Sequence, residues 1–141
     1  RIRDAEGVET VPVVRVSVRS KARRAWLSLL CTVDSGASYT ALPRSDATAI
    51  GIDIQNGKQV VVSGIGGEVF SAWLHVVVAE IGKTKLRLPV LFLERDDAPR
   101  VLGRTGILNA WSIILDGMSQ RTAFIRQRST AYQAVQRVLN E

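Results

Sequence analysis

The sequence has very little of the cysteine and histidine chemistry on which many enzymes and metal-binding proteins depend. Its 141 residues include one cysteine, Cys31, and one histidine, His75. An intrachain disulfide is therefore excluded, and a zinc site would need carboxylates to complete its ligands. A catalytic thiol needs a basic partner, whereas Cys31 lies in an apolar run over residues 29–33. We therefore interpret Cys31 as a buried, unreactive side chain.

Long apolar segments and targeting signals are absent as well. No apolar run approaches the roughly 18 residues of a membrane span, and the N-terminus lacks the pattern of a signal peptide. Membrane contact is therefore not predicted for this segment. The chain begins with Arg1 rather than Met, which suggests a processed or truncated form. These features fit a cytoplasmic protein, or a soluble domain of a larger protein that is itself anchored.

Aromatic residues make up only 6% of the chain, whereas basic residues exceed acidic ones and give a net charge of +6. A basic surface can bind nucleic acid, but binders of single strands usually add aromatic side chains on which the bases stack. No aromatic residues are interleaved with the basic clusters, so nucleic acid is not an expected partner. A basic nucleic-acid-binding β-barrel remains an alternative.

What the chain does contain is typical of an all-β protein. Short runs rich in Val, Ile and Leu are separated by Gly, Pro and charge clusters, which predicts strands joined by tight turns. We expect one domain over residues 1–127 and a helical tail over residues 128–141. Ser129 or Thr130 can cap the tail helix, whose apolar face would be Tyr132, Val135, Val138 and Leu139. Strands are predicted over residues 11–18, 25–33, 59–63, 68–81, 86–93, 111–115 and 122–125, with short helical turns over residues 44–50 and 105–109.

Three short motifs are candidates for chemistry, and the first surrounds Asp34. This carboxylate follows a buried strand and precedes Ser35 and Gly36, where glycine permits a tight turn and a close backbone approach. The second motif, Gly-Ile-Gly-Gly over residues 64–67, lies at the tip between two predicted strands. The third, Val-Leu-Gly-Arg over residues 101–104, predicts a buried strand that passes tightly beneath another segment. Each motif alone is common, so the information lies in their order and spacing.

This order of motifs resembles the retropepsins, the single-lobed aspartic proteases of retroviruses and of their cellular and bacterial relatives. The resemblance extends from about Val11 to Ile125. It implies a retropepsin-like acid-protease barrel with a flap hairpin, and one short helix after the Leu-Gly-Arg segment.

The same resemblance implies a role for each matching residue. Asp34 matches the catalytic aspartate, Ser35 the hydroxyl residue that braces the two active-site loops, and Gly36 the glycine whose backbone meets the substrate. Ala37 and Ser38 are implied to bind substrate, and Tyr39 beside them is a secondary candidate for shaping a pocket. The flap tip that closes over a peptide would be Gly64, Ile65, Gly66 and Gly67, and the segment supporting the site would be Leu102, Gly103 and Arg104.

The sequence departs from the viral pattern in two places. Viral members usually have an aspartate at the position of Ser38, where it partners the family arginine. Arg104 is therefore expected to find another partner, such as a backbone carbonyl. The tail over residues 126–141 also does not resemble the terminal strand with which viral subunits pair, so the dimer interface is expected to differ.

A dimer follows from the chemistry that the resemblance implies. Hydrolysis by this route needs two carboxylates sharing one proton, one acting as base toward water and the other as acid toward the carbonyl oxygen. No other aspartate precedes Ser-Gly or Thr-Gly after an apolar run, and the chain is too short for two lobes. The prediction is a homodimeric endopeptidase with two Asp34 side chains on its twofold axis, acting on peptides or proteins without metal or organic cofactor. The alternative is a retropepsin-like domain that binds peptides or dimerises without cleaving.

Overall fold

The computed structural model describes residues 2–4, 7–64 and 66–141, with side chains described from residue 10 onward except at position 65. Most predicted strands appear within one or two residues of their expected bounds. The helices are α1 (Arg44–Ala49) and α2 (Thr130–Leu139), and a 3-10 turn covers Ile54–Asn56. The strands are β1 (Ile2–Asp4), β2 (Gly7–Glu9), β3 (Val13–Arg19), β4 (Trp26–Val33), β5 (Thr40–Pro43), β6 (Lys58–Ser63), β7 (Val69–Ile81), β8 (Thr84–Leu93), β9 (Val101–Leu102), β10 (Trp111–Asp116) and β11 (Arg121–Arg126).

Seven strands form one sheet in the order β3, β4, β9, β5, β8, β7, β6. Strand β3 also pairs with β7, through Ser17 with Glu80 and Val18 with Ala79, and this pairing closes the sheet into a barrel. Within the described part of the chain, β6 pairs with β7 alone, so the β6–β7 hairpin has a free edge. The predicted all-β class is confirmed.

The barrel core is formed by the apolar residues that alternate with polar ones along the strands. In β3, Val16 and Val18 are buried while Arg15 and Arg19 are exposed, because successive side chains of a strand point to opposite faces. Equivalent inward positions of the other elements complete the apolar interior. They include Leu29, Cys31, Leu42, Ile50, Val77, Leu88, Val90, Phe92, Leu102, Ile107 and Trp111.

The two-residue strand β9 lies between β4 and β5 and places the third motif under the first. Thr32 and Val33 of β4 pair in parallel with Val101 and Leu102. On the other side of β9, Val101 pairs with Ala41 of β5 in the antiparallel sense. The segment that follows β4, which contains Asp34, is therefore anchored on a strand nearly 70 residues away in sequence.

The C-terminal region forms the predicted hairpin and helix. Strands β10 and β11 pair from Trp111 with Arg126 to Asp116 with Arg121, and the Asp116 carboxylate accepts hydrogen bonds from the backbone N–H groups of Met118 and Ser119 in the turn. The Ser129 hydroxyl accepts a hydrogen bond from the N–H of Tyr132, as expected for the N-cap of α2. The C-terminal helix is thus confirmed, whereas the division into a domain over 1–127 and a tail over 128–141 stays a prediction.

Two of the expected helical features differ in detail. The short helix expected over residues 44–50 is α1 (Arg44–Ala49), with Ile50 as its C-cap. Gly51, which follows the cap, has a φ of +75°, a conformation that favours glycine. Residues 105–110 form successive turns and no regular helix. The N–H of Leu108 donates to the carbonyl of Arg104, and that of Trp111 donates to the carbonyl of Ile107. These isolated hydrogen bonds have helical spacing, but they do not extend into a regular helix.

A two-point ion pair ties α1 to the loop that leads into β9. Arg100 donates from Nε and Nη2 to the two carboxylate oxygens of Asp46, at 2.7 and 2.8 Å. The Asp46 side chain is 5% exposed and that of Arg100 is 42% exposed. The backbone carbonyl of Arg100 also accepts a hydrogen bond from the N–H of Thr32. Arg100 therefore anchors the start of β9 to α1 through its side chain and to β4 through its backbone.

Because Asp46 is buried and Arg100 is partly exposed, removing each partner should lower the free energy of unfolding by a different amount. Arg100→Ala leaves a buried carboxylate without its partner and should lower the free energy of unfolding by about 2–3 kcal/mol. Asp46→Ala leaves a guanidinium that water can still reach and should cost about 1 kcal/mol. Urea unfolding of both single variants and the double variant measures the difference, and equal costs for the two single changes would contradict this account.

Candidate active site

Asp34 begins the loop after β4, and backbone hydrogen bonds fix its position. Its N–H donates to the carbonyl of Leu102 at 3.1 Å, and its own carbonyl accepts the N–H of Ala37 at 3.3 Å. Its Oδ1 accepts the N–H of Gly36 at 2.8 Å. The carboxylate is thereby oriented by its own loop while the residue remains exposed to solvent.

Gly103 brings the third motif into backbone contact with the Asp34 loop. Its N–H donates to the hydroxyl of the buried Thr40 at 3.3 Å. A Cβ atom at this position would lie 2.4 Å from the backbone carbon and oxygen of Tyr39 and 3.0 Å from the carbonyl oxygen of Ala37. The two chain segments therefore cross at a distance that only glycine permits.

Two further hydrogen bonds continue this contact along the loop. The N–H of Arg104 donates to the carbonyl of Ala37 at 3.0 Å, and the N–H of Thr105 donates to the carbonyl of Ser38 at 2.9 Å. Because Asp34, Ala37 and Ser38 are each bonded to β9 or to the residues after it, the shape of the loop depends on the packing of the barrel beneath it.

The partner of Arg104 differs from the expected backbone carbonyl. Its Nη2 donates to the hydroxyl oxygen of Ser38 at 3.2 Å. The short Ser38 side chain thus keeps a hydrogen bond to the arginine although it carries no charge. As a result, the guanidinium is linked to the loop without being neutralised by it.

A cleft of about 800 Å³ lies between the Asp34 loop and the β6–β7 hairpin. Of the predicted site residues, Asp34, Gly36, Ala37, Ser38 and Gly64 line it. Most of the remaining wall is apolar. Of its residues, only Tyr39 was expected from the sequence, as a candidate for shaping a pocket. These further lining residues are Tyr39, Ala41, Lys58, Val60, Val61, Val62, Ser63, Leu74, Leu91 and Val101.

The other predicted site residues lie around the cleft. Ser35 is exposed beside Asp34, and Gly66 and Gly67 are exposed in the hairpin turn. The N–H of Gly67 donates to the carbonyl of Gly64 at 3.0 Å, and Gly67 has a φ of +79°, which favours glycine. Ile65, the expected apex of this turn, lies outside the described residues.

Cys31, the one cysteine of the sequence, is not among the residues that line the cleft. Cys31 is buried in the core, as predicted, and burial raises the pKa of its thiol to about 11, so the thiol is neutral at physiological pH. Among the described residues, no group of three or more His, Cys, Asp or Glu side chains lies close enough to hold a metal ion.

Comparisons with known proteins agree with this geometry. A family model described as aspartyl protease matches residues 28–108, which include the Asp34 loop, the β6–β7 hairpin and the segment at Gly103. The fold is similar to the crystal structure of a retropepsin-like aspartic protease from Rickettsia conorii, with a TM-score of 0.59 and 20% sequence identity over 81% of this chain and 88% of that one. A comparison with curated proteins found no match.

The chain therefore belongs to the aspartyl protease family, and its fold is retropepsin-like. The family prediction made from the order of the three motifs is confirmed.

Neither helix in the described part of the chain is long and apolar enough to cross a membrane.

Proposed function

We propose that this protein is an aspartic endopeptidase, in which two Asp34 carboxylates from the two subunits of a homodimer activate water for peptide hydrolysis. One observation carries the proposal. Asp34 is the only carboxylate among the described residues that line the cleft, and it is exposed and oriented by the N–H of Gly36. A dyad that needs two carboxylates must then obtain the second from another chain, and a twofold axis beside Asp34 is the simplest source.

The proposed reaction uses one carboxylate as base and the other, protonated, as acid. The ionised Asp34 takes a proton from water, whose oxygen attacks the peptide carbonyl carbon. The protonated Asp34 of the second subunit donates its proton to the carbonyl oxygen. The first Asp34, now protonated, then donates that proton to the amide nitrogen of the tetrahedral diol. As the C–N bond breaks, the now ionised Asp34 of the second subunit takes a proton from a diol hydroxyl, which restores the starting state of the pair. Because the pair must hold one proton, activity should be lost when both carboxylates are ionised.

The walls of the cleft suit an extended peptide with apolar side chains near the cut. Ala41, Leu74, Leu91 and Val101 supply apolar surface to the wall of the cleft. We assign Gly36, Ala37 and Ser38 to contacts with the peptide backbone. Leu102, Gly103 and Arg104 support the loop through the contacts described above.

The β6–β7 hairpin is assigned as a flap. Its tip is closed by the hydrogen bond between Gly67 and Gly64, and its outer strand β6 has a free edge in the described part of the chain. A hairpin anchored at one side only can move toward the Asp34 loop and exclude water from a bound peptide. Ser35, exposed beside Asp34, is assigned to bracing the loop of the second subunit.

A subunit-mixing experiment tests whether the site is shared. Wild-type protein is mixed with an excess of Asp34→Asn protein and allowed to exchange subunits. Cleavage of a diverse peptide mixture is then measured at acidic and at neutral pH. A ninefold excess should reduce cleavage per wild-type subunit about tenfold, because most wild-type chains then face an inactive partner. Cleavage should also fall faster than linearly on dilution.

The matched control is Asp96→Asn, which makes the same change at an exposed aspartate outside the cleft lining. Because Asp96→Asn should itself be active, an excess of this variant should leave the cleavage per total subunit at the wild-type value. Activity that is indifferent to Asp34→Asn after proven exchange would contradict a shared site. Peptide binding without cleavage by a demonstrated dimer would instead support the peptide-binding alternative.

A further inference from the structure

Among the side chains that the structure describes, two basic residues at the cleft and its border have no acidic partner. Lys58 is exposed and, with Asp34, is one of the two charged residues among those described as lining the cleft. Arg104 is exposed, and the partner of its guanidinium is the neutral hydroxyl of Ser38. The ion pairs formed among the described side chains join Arg95 to Asp97 and Arg100 to Asp46, so they involve neither cation.

Arg104 lies next to the cleft rather than inside it. It lines a depression of about 430 Å³ together with Ser38, Thr105 and Leu108. Ser38 also lines the main cleft, so the two spaces share a wall. A peptide that leaves the cleft past Ser38 would therefore bring a flanking side chain close to the Arg104 guanidinium.

We infer that Lys58 and Arg104 make this cleft select peptides with an acidic side chain flanking the apolar residues at the cut. This inference rests on the proposed function and specifies its substrate class. A glutamate or aspartate near the centre would be repelled by the Asp34 dyad, whereas one in a flanking position meets an unneutralised cation. The net charge of +6 adds a long-range attraction for acidic peptides.

The arrangement would be duplicated by a twofold axis, so both ends of the cleft would carry cations. Exposed charge pairs contribute modestly, and each cation should therefore raise kcat/KM for a Glu peptide over its Gln counterpart by about two- to fivefold. The preference should shrink at high ionic strength, because salt screens exposed charges.

The test uses synthetic peptides that share one cleavable apolar centre and carry Glu, Gln or Lys at one flanking position at a time. For the wild type, kcat/KM should be highest for the Glu peptide, lower for Gln and lowest for Lys at one or more flanking positions. Lys58→Gln should remove the preference for Glu at the peptide position near Lys58. Ser38→Asp should remove it at the position near Arg104, because the new carboxylate neutralises the guanidinium. Arg104→Lys keeps the positive charge and should therefore retain the preference at that position.

Lys83→Gln is the control, since Lys83 is an exposed lysine in the β7–β8 turn outside the cleft. This variant should keep the wild-type preference. Cleavage without any Glu preference, or a preference that survives both Lys58→Gln and Ser38→Asp, would overturn the inference while leaving the proposed function intact.

If the wild type cuts none of the peptides, the proposed function fails, and the inference is decided by binding of the same peptides carrying a fluorescent label. A lower Kd for Glu than for Gln peptides, lost in Lys58→Gln and Ser38→Asp, would support acidic selection by a peptide-binding cleft. Equal Kd values would overturn it.

Discussion

Replacing Asp34 by asparagine should lower kcat/KM for peptide cleavage by more than about a thousandfold. In a homodimer this single change removes both carboxylates of the proposed dyad. Neither subunit then retains a group that can take a proton from water or hold the shared proton. The expected loss is therefore that of the whole dyad, whose acid and base act as a unit.

The same substitution should leave the fold intact. Asp34 is exposed, and an asparagine side-chain oxygen can still accept the N–H of Gly36 that Oδ1 accepts now. Thermal unfolding and subunit association of the Asp34→Asn protein should therefore match the wild type. This combination of lost activity and retained structure distinguishes a catalytic carboxylate from a turn residue.

The assay compares wild type, Asp34→Asn and Asp96→Asn proteins purified identically. Asp96→Asn should keep full activity, because Asp96 does not line the cleft. If wild type and Asp34→Asn cut alike, the activity belongs to a contaminant or to another site. The assignment of Asp34 would then be wrong even though the family is shown.

Gly103→Ala should lower the free energy of unfolding by about 3 kcal/mol or more. The added methyl group would lie 2.4 Å from backbone atoms of Tyr39 and 3.0 Å from the carbonyl oxygen of Ala37. No side-chain rotation can relieve a clash with backbone. Either β9 must leave its place between β4 and β5, or the Asp34 loop must be displaced.

Gly117→Ala is the matched control for this prediction. A Cβ atom at Gly117 meets nothing within 4 Å, and its φ is not in the left-handed region. The control should change stability by less than about 0.5 kcal/mol. Both variants are unfolded in urea at one protein concentration, since the stability of a dimer depends on concentration. Equal stabilities would show that the crossing at Gly103 tolerates a side chain.

The fold class could be predicted from the sequence because strand signals are local. Alternation in residues 13–19, apolar runs such as 26–33 and turn residues such as those after Asp116 each depend on neighbours in the chain. The family could be predicted because three motifs kept their order. The short helix expected after Arg104 was not realised as a regular helix, since the hydrogen bonds of residues 105–110 form separate turns.

The walls of the cleft could not be predicted with the same success. Leu74, Leu91 and Val101 look like ordinary core positions in the sequence, and Lys58 looks like a solvated strand end. Their shared cleft depends on how β6, β7, β8 and β9 are ordered in the sheet. A period-two pattern identifies which face of a strand a residue occupies but not which space that face lines.

The sequence by itself determined the all-β class, the C-terminal helix, the buried state of Cys31 and the place of Asp34 at the end of a buried strand. These features follow from patterns within a few residues of the chain. Only the tertiary structure decided that Arg104 bonds Ser38 across 66 residues, that Gly103 bonds Thr40 across 63, and that Arg100 pairs with Asp46 across 54. Such contacts depend on which strands lie side by side, and that order is set by packing the whole barrel rather than by any local preference.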